Sequence, residues 1–151
     1  MEPEAEQQCD SLIRLALQTD PSNPEALQTL ASIRMSQERT EEAKQYAEQS
    51  WALWKDLDPD SPLLPAIPAR LGLTKIFLEL SLWASALIIL QEVLAADDQN
   101  VDAWYLEGWC FYLMAEKAKE TGQKVEDLSW EELGKDAWDC LDMCKTVCVH
   151  L

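Results

Sequence analysis

Asn100-Val101-Asp102-Ala103-Trp104-Tyr105-Leu106-Glu107-Gly108-Trp109-Cys110-Phe111 is the stretch on which the fold turns. In front of it, Asp97-Asp98-Gln99-Asn100 clusters turn formers and capping residues, which marks a helix start. Ala103, Trp104, Gly108, Phe111 and Ala115 then recur at helical spacing, mixing rings with very small residues on the side expected to face a core. A small residue such as Gly108 lets two helix backbones approach closely, and larger neighbours fill the remaining space. Asp102, Tyr105, Trp109, Tyr112 and Glu116 follow spacings of three or four and share a second face.

Outward from this helix the chain repeats itself. Downstream, an insertion over residues 116–128 delays the partner helix, and Ser129-x-x-Glu132 is a capping box that restarts it. Ala137, Leu141, Cys144 and Cys148 then repeat on one face. Upstream, residues 68–96 form a second pair, with Leu73, Ile76, Phe77 and Leu80 on its first helix. Ala86, Ile89, Leu90, Val93 and Leu94 mark the other. A first pair carries Leu27, Leu30, Ala31 and Ile33, then Ala43, Ala47, Trp51 and Trp54. Asn23 and Thr40 are its expected N-caps, and Pro24 and Glu25 suit a first turn. A leading half-repeat, with Cys9, Leu12, Ile13, Ala16 and Leu17, ends at Asp20-Pro21. Between pairs one and two, Pro59, Pro62, Pro65 and Pro68 read as a stiffened loop.

These units resemble the tetratricopeptide repeat, whose pattern is Trp-x2-Leu-Gly-x2-Tyr on one helix and Ala-x3-Phe on the next. Trp104, Gly108 and Phe111 fall at its offsets, as do Leu73, Phe77 and Ala86, Leu30, Ala31 and Ala43, with Ala137 as the small residue of the last helix. Ile67 and Val101, which open the first helices of pairs two and three, stand 34 residues apart, the period of that family. The expectation is an all-α, tetratricopeptide-type helical solenoid of about three helix pairs plus a leading half-repeat, one domain over residues 1–151.

Three residues depart from the pattern. Arg34 occupies an aromatic position, Arg70 stands where a large apolar residue is usual, and Glu107 replaces leucine. A buried carboxylate without a partner is unfavourable. Glu107 is therefore expected to pair, with Arg70 as the candidate cation.

Residues 97–110, together with the insertion followed by Ser129-Trp130-Glu131-Glu132, resemble more narrowly the fungal assembly chaperones of large-subunit ribosomal protein uL-four. That resemblance implies an acidic solenoid that holds a newly made, very basic ribosomal protein through an extended loop. It also implies escort of that client from cytoplasm to nucleus for ribosome assembly. The family runs to more repeats, so the resemblance implies a fragment or short variant.

The charge fits such a client. Twelve basic residues face 28 acidic ones, a formal charge of −16. That balance repels nucleic-acid phosphates and anionic lipid and attracts basic protein. The face of Asp102, Tyr105, Trp109, Tyr112 and Glu116, with Glu25 and Glu79, is the candidate partner-binding surface, since rings and carboxylates together suit Arg and Lys. The alternative is that the rings pack beneath the insertion, and for Trp109 the core is the favoured place.

Other chemistries find little support. Cys140, Cys144 and Cys148 span about 12 Å of helix axis, too far for one zinc ion, so a packing stripe is expected and no metal. The five cysteines are an odd number and the acidic N-terminal residues do not form a signal peptide, so reduced thiols are expected. No apolar run reaches the roughly 20 residues of a membrane helix. Phosphate loops and nucleophile elbows are missing from the sequence, so neither an enzyme nor a cofactor is expected. Against the chaperone stands a structural scaffold that assembles through solenoid ends, because Val147-Cys148-Val149-His150-Leu151 lacks the polar outer face of a capping helix.

Overall fold

The computed structural model describes residues 2–150, and these form seven helices joined by turns. They are α1 (Pro3–Thr19), α2 (Pro24–Ser36), α3 (Thr40–Ala52), α4 (Ile67–Glu79), α5 (Trp83–Ala96), α6 (Val101–Thr121) and α7 (Trp130–His150). The chain is thus all-α, as its periodicities require. Its contacts gather into two compact units, Met1–Ala69 and Arg70–Leu151, where the sequence reads as one domain. Pro59, Pro62 and Pro65 deny a continuous helix to the stretch between α3 and α4, and Pro68 sits in the first turn of α4, where proline is tolerated.

In the first unit, the side chain of Asn23 accepts a hydrogen bond from the Ala26 N–H at 3.1 Å, so α2 is capped as its sequence proposes. Leu27, Leu30, Ala31 and Ile33 of α2 are buried, with Ala43 and Ala47 of α3. Ser50 Oγ donates to the Pro24 carbonyl at 2.6 Å, tying the end of α3 to the start of α2. Thr40 does not cap α3: the N-cap is Arg39, preceded by Glu38 at φ 60°, and no side chain closes the turn. Trp54 is buried, but in the turns that follow α3 rather than on it.

Helix α1 buries none of its residues. Leu12 and Ala16, expected on its inner stripe, face solvent, and Cys9, Ile13 and Leu17 are only half-buried. Arg34 supplies the missing attachment. Its guanidinium Nη1 lies 3.0 Å from Asp10 of α1, and its Nε lies 3.1 Å from Glu42 of α3. One buried cation therefore answers a carboxylate on each neighbouring helix, which explains a charge at an aromatic repeat position.

In the second unit, Asn100 caps α6 by accepting from Ala103 N–H at 3.0 Å. The capping box of α7 forms in both directions: Ser129 N–H donates to Glu132 at 2.8 Å and Glu132 N–H donates to Ser129 Oγ at 3.3 Å. The first part of the insertion, as far as Thr121, prolongs α6, which stops at Gly122 in the left-handed region, φ 68°. The rest close a tight turn in which Val125 and Leu128 exchange backbone hydrogen bonds around Glu126 and Asp127, both at positive φ.

Helices α6 and α7 pack along their length. At Gly108 a Cβ would stand 3.1 Å from Cys140 Cβ and 3.3 Å from the Ala137 carbonyl, so the small residue is what lets the backbones meet. The inner stripe of α7 is Leu133, Ala137, Cys140 and Val147, not the Leu141 and Cys148 of the expected face, which are exposed. Cys144 is half-buried and donates to the Val101 carbonyl. Trp104 and Phe111 are likewise only half-buried, whereas Leu106, Cys110 and Met114 of α6 are buried.

Candidate binding groove

Within the second unit, α4 and α6 line an open groove of about 800 Å³. From α4 come Lys75, Leu78 and Glu79, and from α6 come Tyr105, Leu106, Trp109, Leu113, Glu116, Lys117 and Glu120. Trp83, at the start of α5, joins them. Spacings of three and four along α6 bring its contributors to one side of the helix. Leu78 and Leu106 are buried and form an apolar floor, while the carboxylates and ammonium groups stand around it.

Four of the residues expected to meet a partner, Tyr105, Trp109, Glu116 and Glu79, come together in this groove. Tyr112 joins them through Trp109, with ring centroids 5.3 Å apart and planes 21° from parallel. Its hydroxyl donates to Glu116 Oε1 at 2.9 Å, and that bond, with the carboxylate charge, pushes the phenol above its ordinary range. Asp102 is exposed on α6 outside the groove, and Glu25 is exposed on α2 in the other unit.

Trp109 is not a core residue. It is 43% exposed, and Tyr105 and Tyr112 are exposed at 52% and 44%. The reason lies in the insertion, which continues as helix along the axis of α6 and leaves the rings uncovered. Leu78, Leu106, Leu113 and Trp83 were missed by sequence reasoning. Leu106 and Leu113, seven apart and beside Trp109, carried the signal.

On the opposite side of α6, Glu107 lies buried at 7% exposure. Its partner is not Arg70. Cys140 Sγ donates to Glu107 Oε2 at 3.5 Å, and among the described residues no ion pair reaches the carboxylate. Burial raises the Glu107 pKa, an effect the thiol hydrogen bond opposes and the nearby Asp136 charge reinforces. Burial and the Glu107 charge push the Cys110 thiol up to about 12 and raise Cys140 as well. No group of three or more His, Cys, Asp or Glu arranged to hold a metal occurs among the described residues. Their helices include none long and apolar enough to cross a membrane.

Paired helices with small residues at their crossings, opening a groove of rings and carboxylates, define a helix-pair repeat protein of the tetratricopeptide type. More particularly, the chain is homologous to part of proteins described as assembly chaperones of rpl4. It is 48% identical over 115 residues to a "probable assembly chaperone of rpl4" of Emericella nidulans, covering 76% of this chain and 30% of that protein. To the Schizosaccharomyces pombe protein of the same description it is 38% identical over 128 residues, covering 84% and 38%. A solved structure, "Assembly Chaperone of RpL4 (Acl4)", is similar with a TM-score of 0.76 and 39% identity, over 81% of this chain and 43% of that one. The chain thus spans about a third of the length of these curated relatives. No protein-family profile matches it.

Proposed function

We propose that this chain is a client-binding segment of a dedicated, non-enzymatic chaperone that holds a newly made rpl4-type ribosomal protein and escorts it from cytoplasm to nucleus for ribosome assembly. The observation that carries the reading is the 48% identity to a protein described as such a chaperone. The chemistry agrees with it. A chain of net charge −16 draws in a basic client, and the α4–α6 groove offers rings and carboxylates to an extended basic segment.

The test is co-elution of the chain with purified rpl4 in gel filtration. A complex is expected at low ionic strength, weakened as salt screens the charges and weakened further by Glu79→Lys with Glu116→Lys. Free elution of both proteins at low salt would end the reading. Binding indifferent to the charge reversal would remove the groove from it.

One observation favours a second reading, a scaffold that assembles through the face of α7. Trp130, Trp138, Leu141 and Val149 are exposed there, Trp138 to 70%. Light scattering decides: concentration-dependent self-association lost in Trp138→Lys supports the scaffold, and a monomer at all concentrations rejects it.

A further inference from the structure

The stacked Trp109–Tyr112 pair leaves aromatic ring surface in solvent, and the hydrogen bond from Tyr112 holds the Glu116 carboxylate beside it. That bond uses one carboxylate oxygen and leaves the other outside it. Three carboxylates of the groove, Glu79, Glu116 and Glu120, face two ammonium groups, Lys75 and Lys117. Lys117 already lies 4.0 Å from Glu120. The balance leaves the charge of one incoming cation to be met, next to the rings.

We propose that Trp109, Tyr112 and Glu116 form an arginine seat, so that the groove selects an extended segment carrying arginine beside an apolar side chain and discriminates against lysine of equal charge. The proposal rests on the reading above only for the kind of client. A guanidinium is planar and weakly hydrated, so it stacks on a ring while donating in its plane to a carboxylate. An ammonium is a compact, strongly hydrated charge that can sit over a ring but cannot stack on it, so it gains less from the aromatic surface. The floor of Leu78 and Leu106 takes the apolar neighbour. In an extended segment, residues two apart point to the same side, so the pattern sought is Arg-x-Leu.

Isothermal titration of the whole chain with two blocked peptides of equal charge tests this, one built on Arg-Gly-Leu-Gly-Arg and the other with both arginines replaced by lysine. The arginine peptide is expected to bind about tenfold tighter. Trp109→Leu and Glu116→Gln each bring it down to the lysine level. Both positions are exposed, and circular dichroism checks that the variants keep their helices. Equal affinity for the two peptides, no binding of either, or a preference that survives Trp109→Leu overturns the seat. The two readings fail separately. A chain that prefers the arginine peptide but does not retain rpl4 keeps the seat and loses the chaperone role. One that retains rpl4 but treats the peptides alike does the reverse.

Discussion

Glu107 of α6 and Cys140 of α7 meet at 3.5 Å in the interior of the second unit, the thiol donating to a carboxylate that no cation among the described residues answers. An ionised carboxylate in such a place opposes folding. Because burial raises its folded-state pKa, the native chain holds a proton that the unfolded chain has released. Stability is therefore expected to fall as pH rises from the ordinary carboxylate range through the raised value. Glu107→Leu removes that dependence and stabilises the chain at neutral pH by about 1–2 kcal/mol. Urea unfolding of both proteins across that window, under reducing conditions, measures the difference.

Glu132 has the opposite sign. Its hydrogen bonds with Ser129, the backbone one foremost, hold its pKa below the usual carboxylate value. Its contribution is present at neutral pH and fades as pH falls through that depressed value. Ser129→Ala opens the capping box and is expected to cost about 1 kcal/mol. Faster amide exchange in the first turn of α7 reads the loss.

Gly108 sets two preferences against each other. Alanine is the better helix former by roughly 1 kcal/mol. Its methyl group, however, would press on Cys140 Cβ and on the Ala137 backbone carbonyl, and the carbonyl belongs to a packed helix. Overpacking typically costs about 1–3 kcal/mol, so Gly108→Ala is expected to destabilise on balance, and Gly108→Val by more. Thermal unfolding of the two variants checks the order.

Arg34 is the chief tie of α1. Asp10→Ala breaks one of its two ion pairs, and because α1 buries no residue of its own, that helix should loosen while α2 and α3 persist. Arg34→Met strands the partly exposed Asp10, while Glu42 keeps its ion pair with Arg39, and is expected to cost about 2 kcal/mol, below the range for a fully buried pair. Limited proteolysis within α1, compared with the global unfolding midpoint, separates local from global loss.

What the sequence made legible is local chemistry. The caps at Asn23, Asn100 and Ser129–Glu132 are readable because the capping residue and its helix are neighbours in the chain. So are the small residues Ala31, Ala43, Ala86 and Gly108, whose burial follows from repeat offsets. What escaped depends on rotation and on distant partners. On α7, Cys140 and Leu141 are adjacent apolar residues about 100° apart and both approach Gly108, yet Cys140 is buried and Leu141 exposed, a rotation that apolarity alone does not encode. Glu107 faces a thiol 33 residues away rather than the arginine that charge suggested. The groove was half legible: its α6 rings follow a helical period, whereas Leu78 and Trp83 reach it only through the packing of other helices.

Burial at the crossing of α6 and α7, seconded by the Glu107 charge, also governs what oxidants can do to this molecule. Burial first and the Glu107 charge second push the Cys110 thiol up to about 12 and raise Cys140 as well, so neither holds much reactive thiolate at neutral pH. Cys148, by contrast, is exposed near the end of α7. Peroxide or an alkylating dye would therefore find the periphery first and the interior last. The chain thus shields the crossing of α6 and α7 from sulfenic acid, and of its cysteines Cys148 is the most accessible to a label, far along α7 from its first turn.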